Sequence, residues 1–183
     1  MPKSLTFLTL PGLYNSGEKH WQTHWERRFS NVRRVEQSDW DTPHCDDWVE
    51  TLERAVSECG DDVVLVAHSL ACPFVSKWAQ RYPREIAGAF LVGPSDIEAP
   101  TYPRGTTGFT PIPLEKLPFR SMVVVSKGDE FASLERAQQF ADAWGSELTI
   151  LEGLGHIGSD ADLGMWQQGL SLLNGFAGTS LQP

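Results

Sequence analysis

The chain has 183 residues, 40% of them hydrophobic, which is enough to bury one core of ordinary domain size without disulfide or metal staples. Its formal charge of -9 opposes phosphate backbones and anionic membrane surfaces, so neither nucleic acid nor membrane is an expected partner. The odd cysteine set, Cys45, Cys59 and Cys72, argues against a disulfide framework and for a reducing, cytoplasmic setting. Met1-Pro2-Lys3 and the short apolar run that follows have neither the length of a membrane span nor a cleavage-site pattern.

Strand and helix patterns alternate along the chain. Residues 5–10 read as a strand. Residues 20–29 read as a helix, with Trp21, Trp25 and Phe29 on one stripe. A weak strand at 32–36 precedes a helix at 47–59, where Asp47 and Glu50 have capping-box spacing and Gly60 stands at the C-terminal cap position. The β-branched run 63–67 has the character of a strand buried on both faces, and a helix follows over 69–82 until Pro83 stops it. Strands at 86–92, 122–125 and 148–151 and helices at 131–144 and 164–176 complete the pattern. It predicts an α/β fold with a parallel sheet of about six strands, helices on both faces and a single domain over 1–183. Residues 94–118 carry six prolines and predict an irregular, ordered surface loop between two strands.

The chemistry concentrates after strands. The run Val63-Val64-Leu65-Val66-Ala67-His68-Ser69-Leu70-Ala71 is a buried strand, a tight turn with serine at its tip, and a helix start. This is the context of a nucleophile elbow, with Ala67 and Ala71 where glycine is usual. A serine hydroxyl needs a base. The glycine-rich Gly153-Leu154-Gly155-His156-Ile157-Gly158 follows the last strand and supplies His156. The imidazole needs an acid to fix its tautomer, and Asp129 follows the preceding strand, with Asp96 as the alternative acid one strand earlier. The order Ser, Asp, His is that of the α/β-hydrolases. For an oxyanion hole the candidate amides are Leu70, just after the serine, and Leu13, in the loop after the first strand. Tyr14, Trp21, Trp40 and Ile157 are the candidate walls of a substrate pocket.

Structural roles compete with these readings. Ser69 alone could be a helix cap, and Asp129 could cap the helix at 131–144. His68 and Cys72 read as packed residues. His20 and His24 lie one helical turn apart, but no third ligand accompanies them, so no metal is expected.

Taken together, Pro11-Gly12, His20-Trp21, Gln37-Ser38-Asp39-Trp40 with Trp48, His68-Ser69-Leu70, Gly128-Asp129 and Gly155-His156-Ile157 resemble the small serine hydrolase family that includes retinoblastoma-binding protein 9 and the bacterial YdeN-type hydrolases. The resemblance spans nearly the whole chain. It implies a minimal, lidless α/β-hydrolase with a triad at Ser69, Asp129 and His156. The Leu-x-Cys-x-Glu motif implied by the first relative's name is absent, so that binding role is not carried over. The expected activity is acyl transfer from a small ester, thioester or amide, with no metal or organic cofactor and with oligomeric state left open. The alternative is a non-catalytic interaction module on the same scaffold.

Overall fold

A computed structural model describes residues 4–183, so the Met1-Pro2-Lys3 opening lies outside the described residues. Six strands form one parallel sheet in the order β2-β1-β3-β4-β5-β6. They are β1 (Thr6–Leu10), β2 (Val32–Arg34), β3 (Val63–His68), β4 (Gly88–Val92), β5 (Ser121–Ser126) and β6 (Glu147–Leu151). The helices are α1 (Trp21–Arg28), α2 (Cys45–Cys59), α3 (Ala71–Arg81), α4 (Leu134–Trp144) and α5 (Gln167–Ala177), with a short 3-10 turn at Ser159–Ala161. This is the minimal α/β-hydrolase arrangement that the sequence predicts.

Alternation along the central strands divides the core in two. Leu8, Leu65, Ala67, Leu91 and Val123 face α2, α3 and α4, where Trp48, Trp78 and Trp144 are buried. Phe7, Val64, Val66, Phe90 and Val124 face α1 and α5, where Trp21, Trp25 and Phe176 are buried. A strand buried on both faces has no polar side, which is why residues 63–67 read as an unbroken β-branched run. The order places β1 between β2 and β3, so the chain reverses direction across the sheet at β1. The C-terminal edge of β1 and β3 is therefore the topological switch point, where open α/β sheets leave a crevice.

Several helix ends differ from the sequence reading. α3 begins at Ala71 and not at Ser69, because Ser69 has φ 62, a left-handed backbone no helix accepts. α2 begins at Cys45 with no side-chain cap, so the Asp47–Glu50 capping box does not form, although Asp46 and Asp47 still favour the helix dipole. α4 begins at Leu134, capped by Ser133 Oγ accepting from the Arg136 amide at 3.1 Å. α5 begins at Gln167, because Trp166 has φ 43 and interrupts the helix expected from 164.

The proline-rich connection between β4 and β5 contains no helix or strand, yet it is not merely a surface loop. Phe109, Ile112 and Leu117 are buried in the α2–α3–α4 core. Thr107 pairs with His44 at the start of α2, and the Trp144 indole of α4 donates to Pro113 O at 2.8 Å. The segment is a strap tied to the helices, in the place where larger hydrolases of this fold carry a lid.

On the other face, Trp166 stacks on Trp25 with ring centroids 6.0 Å apart and planes at 9°. Gly169 makes this possible: a Cβ there would lie 2.0 Å from the Trp166 ring. Gly169→Ala should gain about 1 kcal/mol of helix propensity but lose more by displacing the indole, for a net destabilisation of about 1–3 kcal/mol. Urea unfolding followed by tryptophan fluorescence checks this.

Candidate active site

Three strand ends and two loops converge at the switch point. β3 leads into Ser69, whose amide donates to Val92 O at 3.0 Å and whose carbonyl accepts from the Cys72 amide at 3.0 Å. These bonds hold the serine in a left-handed conformation that costs a residue with a Cβ about 1–2 kcal/mol. Ala67 and Ala71 are fully buried in the turn, and their methyl groups do not relax it. The loop after β1 passes directly against the elbow. A Cβ at Gly12 would lie 2.9 Å from His68 O and from Ser69 Cβ, and 3.2 Å from Leu70 N, so only glycine fits.

His156 Nε2 is 2.8 Å from Ser69 Oγ, and His156 Nδ1 is 2.9 Å and 3.0 Å from the two carboxylate oxygens of Asp129. Asp129 also accepts from the Phe131 amide at 2.8 Å, which fixes the carboxylate from the other side. The Phe131 ring lies 4.5 Å from the imidazole. With Nδ1–H donating to the carboxylate, Nε2 is free to accept the Ser69 proton. The structure does not bring Asp96, the alternative acid, to the imidazole: its carboxylate pairs with Arg136 at 3.3 Å.

The loop carrying His156 is anchored from below. The Leu154 amide donates to Ser126 Oγ at 2.9 Å, and the Trp21 indole donates to Ile157 O at 2.8 Å. Trp21 and Ile157 are therefore buried supports of this loop and not pocket walls. Trp40 stands edge-on to Trp48 at 5.5 Å, and its carbonyl accepts from the Tyr14 amide at 2.9 Å, so it braces the wall from behind. Of the four expected wall residues only Tyr14, 60% exposed, lines the cavity. The cavity holds about 480 Å³ and reaches Leu13, Ser69 and His156, with Tyr102 and Phe131 as aromatic walls. The Leu13 and Leu70 amides make no hydrogen bond among the described residues.

Two features were missed by sequence reasoning. Ser95, fully buried after β4, places its Oγ 2.8 Å from Ser69 Oγ. His20 and His68 form a buried chain: the Gln22 amide donates to His20 Nδ1 at 3.1 Å, His20 Nε2 lies 3.2 Å from His68 Nδ1, and His68 Nε2 lies 2.9 Å from His156 O. One tautomer set satisfies every member: His20 Nε2–H donates to His68 Nδ1, and His68 Nε2–H donates to the His156 carbonyl. The His156 backbone is thus held from within the core. Both histidines are kept neutral. Burial, then Arg34 and His156, brings His20 down to about 3, and burial, then His20 and His156, holds His68 well below the usual range. Both His20 nitrogens are engaged, so His20 and His24 do not form a metal pair, and no group of three or more metal-binding side chains occurs among the described residues. The Cys72 thiol, driven well above its ordinary range by burial, donates to Val92 O and packs behind the elbow.

The fold and this constellation place the molecule among the α/β-hydrolases. A YdeN-like hydrolase of Pectobacterium atrosepticum is similar at 33% identity, covering 96% of this chain and 91% of that one, with a TM-score of 0.83. The ydeN gene product of B. subtilis shares 18% identity and a TM-score of 0.83 over 96% of this chain and all of that one. Est816, described as an N-acyl homoserine lactone degrading enzyme, has the same fold at 13% identity and a TM-score of 0.73, over 95% of this chain and 93% of that one. No curated protein matches significantly. A serine hydrolase family profile matches residues 7–175, and the chain belongs to that family, whose general activity is hydrolytic.

The neutral buried histidines make stability depend on pH. Their folded-state values lie below the unfolded value near 6.5, so the unfolded chain binds more protons below that pH. The stability present above about pH 6.5 is therefore lost as the pH falls towards about 3. From about pH 7 to about pH 5 the loss from His20 should be about 2 kcal/mol, and His20→Gln should remove it. Urea midpoints across this range measure it.

Proposed function

We propose that this chain hydrolyses small esters, thioesters or amides by acyl transfer, with Ser69 as nucleophile, His156 as general base and acid, and Asp129 as the orienting carboxylate. The observation that carries the reading is the continuous line from Ser69 Oγ through the imidazole to Asp129, with the serine on a left-handed turn at the C-terminal edge of β3. In acylation Ser69 Oγ attacks the carbonyl carbon while its proton passes to His156 Nε2. The Leu13 and Leu70 amides are free to receive the oxyanion, each such donor being worth about 3–4 kcal/mol. The imidazolium then protonates the leaving group as the bond to carbon breaks. Water enters, gives its proton to His156 and releases the acid, and Ser69 recovers its proton.

The cavity supports a small acyl compound. Among the described residues no lid covers it, and no lysine or arginine lines it to neutralise a phosphate-bearing carrier. Among the described residues no helix is long and apolar enough to cross a membrane.

A fluorophosphonate probe with peptide mapping tests the assignment. A single adduct on Ser69 is expected in wild type, none in Ser69→Ala, and labelling slower by about 10³–10⁴-fold in His156→Ala. A folded wild type that does not label would favour the interaction-module reading. Short-chain p-nitrophenyl esters should be turned over faster than long-chain ones, and equal turnover would count against an unlidded, small-acyl site.

A further inference from the structure

A hydroxyl taken out of water costs about 1–3 kcal/mol unless it is hydrogen-bonded. Ser95 has such a hydroxyl, with no exposed surface, and its side-chain hydrogen-bond partner is Ser69 Oγ at 2.8 Å. The position is fixed by its neighbours. Gly93 turns the chain after β4 with φ 58, its amide donating to Val124 O at 2.8 Å, and the Asp96 amide donates to Phe131 O at 2.8 Å. Between these two ties the Ser95 amide faces Ser69 O at 3.4 Å. The same turn runs under the imidazole, since a Cβ at Gly93 would lie 3.0 Å from His156 O.

Proton counting gives the direction of the bond. His156 Nδ1–H donates to Asp129, which leaves Nε2 as an acceptor, and the one proton of Ser69 goes there. Ser69 Oγ then has no proton for Ser95, so Ser95 must donate to it. The opposite arrangement, Ser69 donating to Ser95, would leave Nε2 without its proton and the Ser95 proton without an acceptor. Only the chain Ser95 to Ser69 to His156 to Asp129 satisfies every group.

We propose that Ser95 is a further catalytic residue, a buried donor that aims the Ser69 proton at His156 and stabilises negative charge on Oγ as that proton leaves. The inference rests on Ser69 being the nucleophile. Ser69 Oγ has two lone pairs; Ser95 takes one and the other is left for the carbonyl carbon. In acylation the Ser95 proton stays on Ser95 throughout, while the Ser69 proton moves to His156 Nε2. In deacylation Oγ is the leaving group, and the same bond stabilises it until His156 returns the proton. Both half-reactions therefore gain from one donor.

The test compares Ser95→Ala and Ser95→Thr with wild type. The readouts are the second-order rate of fluorophosphonate labelling at Ser69 and the separate acylation and deacylation rates of a short-chain p-nitrophenyl ester in stopped flow. Ser95→Ala is expected to slow labelling, acylation and deacylation, each by about tenfold, with KM for the ester rising little. Ser95→Thr, which keeps the hydroxyl, should restore the rates to within about threefold of wild type. A structural role alone would change the urea midpoint and would not divide Ala from Thr. Wild-type rates in Ser95→Ala, or equal losses in both variants, would overturn the inference while Ser69 labelling in wild type keeps the nucleophile assignment intact. If folded wild type does not label at Ser69, the nucleophile assignment falls and this inference falls with it.

Discussion

The site depends on one close approach of backbone to backbone. The loop after β1 must lie against the turn after β3 if the Leu13 and Leu70 amides are to face the same point in space. A side chain at position 12 would collide with His68 O and Ser69 Cβ, so glycine is required there. The approach also needs β1 and β3 to be neighbours in register, which they are, from Thr6 beside Val63 to Leu10 beside Ala67. Sheet order, register and one missing Cβ thus set the position of the Ser69 hydroxyl before any polar contact is counted.

Around that point the polar groups are arranged in layers of decreasing exposure. His156 keeps 18% of its side chain exposed, Asp129 only 4%, and Ser95 has none. Behind them the His20–His68 chain reaches the carbonyl of His156, and the Trp21 indole reaches the carbonyl of Ile157. Reacting groups that face water at one end and are hydrogen-bonded to the core at the other need little reorganisation when charge moves, which is the usual source of electrostatic preorganisation. The arrangement requires the two buried histidines to remain uncharged.

Much of this was legible in the residues, for identifiable reasons. The run from Val63 to Ala67 has the composition of a strand buried on both faces, and a serine just past its end, with Ala67 and Ala71 two residues to either side, fits a tight turn. The glycine-rich segment around His156 announced a loop able to reach over strand ends. Pocket walls were not legible, because a tryptophan packed in the core and one lining a cavity have the same local pattern. Trp21 and Ile157 therefore read as wall residues although their side chains point into the α1–α5 core. Ser95 and the His20–His68 pair carried no local signal either, since their roles exist only where distant strand ends meet. The Ser133 cap before α4 was readable, as a serine preceding a periodic run, but Asp129 and the aromatic Phe131 drew the boundary forward.

The strap between β4 and β5 has a dynamic consequence. Phe109, Ile112 and Leu117 are sunk among α2, α3 and α4, and the backbone at Thr107 and Leu117 is tied to the start of α2 and the end of α4, so this stretch is held against that layer. A site roofed by a moving segment passes through open and closed states on the microsecond to millisecond scale and can be switched by a surface that traps the open form. Tyr14 on the rim, 60% exposed, is a side chain of the kind whose rotations take picoseconds to nanoseconds. A strap held in this way adds no gate of its own to the exchange of small molecules with the cavity.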